Sequence, residues 1–202
     1  VREAAALLGV RGLRNVALSL AVGTLQPRTT EGDARLLQAR RRAVVAQQLA
    51  VVSSAVDPEE AYTCGLLLEL GTLAQQDDDA TGARVLAASG LPDGLQQAIA
   101  HHHDKFPPAA NLSRLAWATH AVAALWDAGP QDVLWARAAH AAATLGVDEA
   151  ALRALVAAVP HAVQQLAAAD PTDDPAVSPE MLRRLAHHRF LVRHDDGRFQ
   201  VG

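Results

Sequence analysis

Apolar residues recur three to four positions apart along most of this chain, the spacing that gives an amphipathic helix one buried face. Leu13, Val16, Ala17 and Leu20 mark one such face within residues 10–25, after an Ala/Leu-rich stretch that Gly9 ends. A loop at 26–32 leads to Asp33 as the expected N-cap of a long helix over 34–56, with Leu37, Val44, Val45, Leu49 and Val52 as its apolar stripe. Asp57-Pro58-Glu59-Glu60 combines a capping side chain, a proline in the first turn and two acids at the positive end of the dipole, so a helix is expected to start there and run through Cys64, Leu67 and Leu70 to Gly71. Short helices are expected over 80–89 and 91–103, the latter stopped by Phe106-Pro107-Pro108. Longer ones are expected over 112–127, carrying Trp117, His120 and Trp126, and over 132–145, carrying Trp135 and His140. Pro160 is expected to divide the next pattern into helices over 148–158 and 161–169.

Residues 170–179 are rich in Pro and Asp and read as a linker. The pattern then changes: a helix opened by Ser178-Pro179-Glu180 is followed by Phe190-Leu191-Val192-Arg193-His194, Asp195-Asp196-Gly197 and Arg198-Phe199-Gln200-Val201. Asp-Gly between two apolar runs is a hairpin signal, because Gly and Asp tolerate the positive φ of a tight turn. The expected fold is therefore all-α, a compact multi-helix bundle over 1–169 joined to a helix and β-hairpin extension over 180–202.

Composition narrows the function classes. Half of the 202 residues are hydrophobic, 20% are charged and the net charge is -4. That balance builds a core and gives no global electrostatic footprint for nucleic acid. Only 3% are aromatic, so the core must be made of Ala, Leu and Val, which favours close helix packing. Cys64 is the single cysteine, so no internal disulfide is possible, and a reducing, cytoplasmic setting is expected. Val1-Arg2-Glu3 starts inside a helical pattern and suggests a fragment of a longer protein. No run reaches bilayer-spanning length. There is no G-x-S-x-G elbow and no Gly-rich phosphate loop, and Cys64 sits in an apolar helix where a thiol packs as a small hydrophobe. The acidic run 75–79 lacks the ligand spacing and the turn glycine of a calcium loop.

The candidate chemistry concentrates in His101, His102, His103 and Asp104. Imidazole is the commonest metal ligand and titrates near neutrality. On a continuing helix, however, successive side chains point about 100° apart, so the three cannot all face one ion. His103 would share a face with Ile99, and His102 with Ala98 and Leu95. One buried, hydrogen-bonded histidine with the others at the surface is the expectation. Arg40, Arg41 and Arg42 read as a solvated ridge with one partly buried stem. Trp117, Trp126 and Trp135 read as core or interface anchors.

Three segments resemble the HDOD family, regulatory relatives of the HD-domain metal phosphohydrolases. The first runs from Ala5-Ala6-Leu7-Leu8-Gly9 through Leu13, Asn15, Leu18 and Ser19. The second is Asp57-Pro58-Glu59-Glu60-Ala61-Tyr62 into Gly65-Leu66-Leu67-Leu68-Glu69-Leu70-Gly71. The third is Gly90-Leu91-Pro92 leading to Ala98-Ile99 and His102-His103. The resemblance, which spans 1–169, implies an all-α HDOD-like bundle. It also exposes departures. Leu68 and Glu69 stand where metal-binding relatives carry the His-Asp pair, Gln38 or a neighbour where a further His is expected, Asp78 or Asp79 where another often stands, and Ala123 near a position that can carry Asp. A catalytic divalent site needs several converging ligands, and only His102 and His103 remain, with Glu69 as an offset carboxylate. The resemblance thus implies a non-catalytic regulatory module with no cofactor and no metal. It would bind a protein partner, or another domain of its parent chain, through His101–Asp104 and Arg40–Arg42. Two alternatives stay open: a residual metal-dependent phosphohydrolase using His102, His103 and Glu69, and a DNA-binding regulator. For the latter, Arg183, Arg184, Arg189, Arg193 and Arg198 are similar to the recognition helix and wing of winged-helix proteins. Against it, a winged helix needs a three-helix core, and Asp195 and Asp196 sit at the hairpin tip where phosphate would lie.

Overall fold

The computed structural model describes residues 29–68, 92–127 and 132–168, together with two residue pairs at 192–193 and 199–200. Six helices occur among the described residues: α1 Thr30–Ser53, α2 Pro58–Leu67, α3 Asp93–Ala100, α4 Asn111–Asp127, α5 Asp132–Ala143 and α6 Glu149–Ala168. Val192–Arg193 and Phe199–Gln200 pair antiparallel, with Val192 opposite Gln200. The remainder of the C-terminal extension, including Arg183, Arg184, Arg189 and Arg198, lies outside the described residues, as do the helices expected over 1–25 and 80–89 and the linker.

α1 is the axis of the bundle, in contact with α2, α4 and α6. Its expected apolar stripe needs correction: Leu37 and Val52 are 41% and 46% exposed, whereas Val44, Val45 and Leu49 are buried. The inward row is instead Ala39, Ala43, Ala46 and Ala50, spaced four, three and four apart. Larger side chains fill in only where a third and fourth helix surround the middle of α1. The helix also starts earlier than expected. Thr29, not Asp33, is the N-cap, its hydroxyl accepting from the Gly32 N–H at 3.1 Å. Glu31 and Asp33 then lie in the first turn, where the helix dipole favours acids. The helix ends at Ser53 rather than 56, because Ser54 takes a left-handed conformation (φ 53°) and returns its N–H to the Ala50 carbonyl.

α2 begins as the sequence predicts. The Asp57 carboxylate accepts from the N–H groups of Glu59 and Glu60 at 3.0 and 3.1 Å. All its residues from Ala61 to Leu67 are buried. That is possible because α2 meets α1 at a glycine. A Cβ at Gly65 would lie 2.5 Å from the Arg42 carbonyl oxygen and 2.8 Å from both Ala43 Cα and Ala46 Cβ. Two of those three atoms are backbone and cannot swing aside.

Two hydrophobic clusters share α1 and α4. The larger joins Val45, Leu49, Leu115, Val122, Ala141, Leu152 and Val159 between α1, α4, α5 and α6. The smaller joins Ala39, Ala43, Cys64, Leu66, Leu95, Ile99 and Ala116 between α1, α2, α3 and α4. Pro160 does not divide the last pattern. α6 runs unbroken through it, because Leu152, Leu155, Val159 and Val163 continue one buried row on both sides. Pro160 itself is exposed, so the lost backbone hydrogen bond falls on the solvent side.

These contacts predict opposite outcomes for two glycines. Gly65→Ala overpacks the α1–α2 contact and lowers stability by about 1–3 kcal/mol or more, read as a lower urea midpoint. Gly94 is exposed in α3, and a Cβ there meets only Leu112 at 3.9 Å. Gly94→Ala therefore raises stability, by about 0.5–1 kcal/mol.

Candidate functional site: a histidine corner after the third helix

The α3 helix stops earlier than expected, at Ala100 rather than 103. His101 leaves the helical region (φ -114°, ψ 5°) while its N–H still reaches the Gln97 carbonyl. The chain then turns through His102 and His103, and the Asp104 N–H bonds back to the His101 carbonyl at 3.2 Å. Two side chains hold this corner. The Trp117 indole N–H donates to the Asp104 carbonyl at 2.8 Å from α4. His102 Nδ1 stands 2.7 Å from the Ile99 carbonyl. A carbonyl only accepts, so Nδ1 carries the proton and donates it, and in the neutral ring Nε2 is the lone-pair nitrogen. The ring thereby satisfies one of the carbonyls that a helix C-terminus leaves unpaired.

One of the three histidines is buried and hydrogen-bonded, as expected: His102 is 0% exposed, while His101 and His103 lie at the surface. His101 makes a surface contact with Asp104 at 3.0 Å. The helical extrapolation that kept the side chains about 100° apart fails, because 101–103 are no longer helix. The His102 and His103 rings lie against one another, tilted by 40°, with centroids 3.9 Å apart. A third imidazole completes the corner. His120 of α4 meets the His103 ring edge-on at 4.3 Å and the His102 ring at 5.4 Å. One ring nitrogen from each of the three falls within 4.8 Å of the others. The sequence placed His120 on its helix but gave it no role. The available signal was that His120 lies three residues beyond Trp117, one turn along α4 from the residue that pins the corner.

His120 is the strongly perturbed group. Burial first, then the charges of His103, His102, Arg42 and Arg137, lower its pKa to about 3. It is neutral at pH 7, and its Nδ1 is buried with no hydrogen-bond partner among the described residues.

Of the arginine ridge, Arg42 comes near this corner. Arg42, on the buried side of α1, acts on His120. It also reaches Asp127 at the end of α4 at 3.3 Å, and Arg41 reaches the same carboxylate at 3.5 Å. Arg41 lies 5.9 Å over the Trp126 ring. Gln38 donates to Asp127 at 3.4 Å, so the residue standing near an expected His position joins this polar cluster. Arg42 is thus the one largely buried stem of the ridge. Of the anchors, Trp117 is buried, and Trp135 is half-buried with its N–H on Glu149 at 3.3 Å. Leu68 is fully buried in the smaller core cluster. Glu69, Asp78 and Asp79 lie outside the described residues, and Ala123 is buried.

Comparison with known proteins gives a family match: residues 1–80 match the HDOD domain. The match includes α1, α2 and the first two segments of the resemblance, and ends before the histidine corner. No curated protein and no solved structure matches the chain. No helix among the described residues is long and apolar enough to cross a membrane.

Two chemical predictions follow from these environments. Cys64 is fully buried, and burial, with the nearby Glu60 charge, pushes its thiol up to about 12. It should resist alkylation at pH 8 in the folded chain and react fully in denaturant. For His120 the sign is set by a folded pKa below the unfolded one. Its contribution is whole above about pH 6.5 and is lost as pH falls toward 3, by about 1.4 kcal/mol per unit. In chelator-treated protein the urea midpoint should fall between pH 7.5 and 5, and His120→Asn should flatten that fall.

Proposed function

We propose that this chain, whose first 80 residues match the HDOD domain, is a non-catalytic regulatory module. It binds another protein, or another domain of a longer parent chain, within a reducing, cytoplasmic compartment. The observation that carries this reading is Leu68. At the place where metal-dependent relatives hold the His of the His-Asp pair, this chain packs a fully buried leucine into its core. An apolar side chain offers no lone pair to a metal. The HDOD family is generally non-catalytic, which agrees.

The proposed binding surface is formed by His101, His103 and Asp104 with Arg40 and Arg41, around the buried His102 and Arg42. Its centre is fixed before any partner arrives, since Trp117 holds Asp104 and Asp127 holds Arg41 and Arg42. A rigid surface loses less conformational freedom on binding. Its exposed groups supply both signs of charge and would select a partner of mixed charge.

Hydrolysis of a phosphodiester and of cyclic nucleotides should stay at the buffer rate with Mg²⁺, Mn²⁺ or Zn²⁺ added. Metal-dependent turnover that disappears in His103→Ala would overturn the reading. A partner captured by crosslinking should be lost from Arg40→Glu and His101→Ala chains that keep the wild-type melting temperature. Retention by both variants would remove this surface from the proposal.

A further inference from the structure

We propose that His102, His103 and His120 form a three-imidazole site for a zinc-class divalent cation that does not use the positions of the missing His-Asp pair. Three features of the corner support this. The ligand nitrogens already lie within 4.8 Å of one another, while three imidazoles around a tetrahedral zinc stand about 3.3 Å apart. Rotation of the exposed His103 ring can close much of that gap. The bond from His102 Nδ1 to the Ile99 carbonyl selects the tautomer in which Nε2 presents its lone pair, the outer-shell arrangement usual for metal-binding histidines. His120 brings a buried Nδ1 with no hydrogen-bond partner among the described residues. Burial of an unmatched ring nitrogen costs roughly 1–3 kcal/mol, and a bound cation would offset it.

The donor set chooses the ion. Three neutral nitrogens, with no carboxylate grouped with them among the described residues, suit Zn²⁺, Co²⁺ or Ni²⁺ and disfavour Mg²⁺ or Ca²⁺, which take oxygen ligands. Arg42 and Arg137 lie near enough to His120 to act on its charge. Asp127 balances Arg42 at 3.3 Å. The remaining positive surroundings favour an anionic fourth ligand on the open, His103 side. No second group of metal ligands occurs among the described residues, and Leu68 offers none, so the ion would serve as an anchor or a sensor rather than a hydrolytic centre. The site stands independently of the partner reading.

The test uses the untagged, chelator-stripped full chain. Titration with Zn²⁺ against a chromophoric chelator should show one ion per chain. Co²⁺ should give the intense visible absorption of a tetrahedral site. His103→Ala, an exposed change that leaves the core intact, should weaken Zn²⁺ affinity at least about tenfold, and His120→Asn likewise. His101→Ala should leave it unchanged. Zn²⁺ affinity unaltered in His103→Ala, or lost equally in His101→Ala, would overturn the site. Either result leaves the partner proposal untouched. Metal-dependent phosphodiester turnover, by contrast, would sink that proposal and the anchor or sensor role given to the ion here, while one-to-one Zn²⁺ binding weakened in His103→Ala would keep the three-imidazole site.

Discussion

The approach of α2 to α1 at Gly65 is the constraint on which the rest depends. With the Arg42 carbonyl 2.5 Å from where a Cβ would stand, the two backbones meet with no side chain between them. This is the packing an Ala-rich, aromatic-poor sequence can reach. Ala39, Ala43, Ala46 and Ala61 keep the surrounding surface low, so dispersion contacts are made backbone to backbone. The same contact fixes the rotation of α1. With Ala43 and Ala46 turned to α2, Arg42 must run along the buried side toward α4, where Asp127 receives it and where its charge reaches His120.

The histidine corner is assembled by a different device, the stopping of a helix. Had α3 continued, His102 and His103 would have diverged. Because it ends at Ala100, His102 folds back on the last turn, His103 lies tilted against it, and α4 supplies both the tryptophan that pins the turn and the third imidazole. Two of these rings are shielded from water and one faces it. Leu68 packs in the same cluster as Ile99, whose carbonyl holds His102.

Much of the fold was legible because its helices obey local rules. The Asp57-Pro58 start, the span of α4 and the presence of one buried stem among the three arginines follow from capping, periodicity and the length of an arginine; that the stem is Arg42 does not. The family resemblance was equally legible, since its first two segments lie within the matched residues. The misreadings have tertiary causes. Pro160 normally ends a helix, but a buried row continuing past it on one face outweighs one lost hydrogen bond on the other. Asp33 is as good a cap by residue type as Thr29, but the helix already runs from Thr30, with Thr29 capping Gly32, so Asp33 falls inside its first turn. The end of α3 carries no Gly or Pro before Pro107, so periodicity extends it three residues too far. That error separated the imidazoles on paper, and it also hid His120, whose part depends on a contact across 17 residues that no local pattern encodes.

The cation-site reading rests on the corner being preset by the Ile99 carbonyl acting on His102. The most direct measurement is a long-range proton–nitrogen correlation spectrum of the histidine rings in the chelated chain at pH 7. The account predicts His102 as a neutral ring protonated on Nδ1 with a bare Nε2, and His120 neutral beside it. His102 protonated on Nε2, or a charged His120, would contradict it.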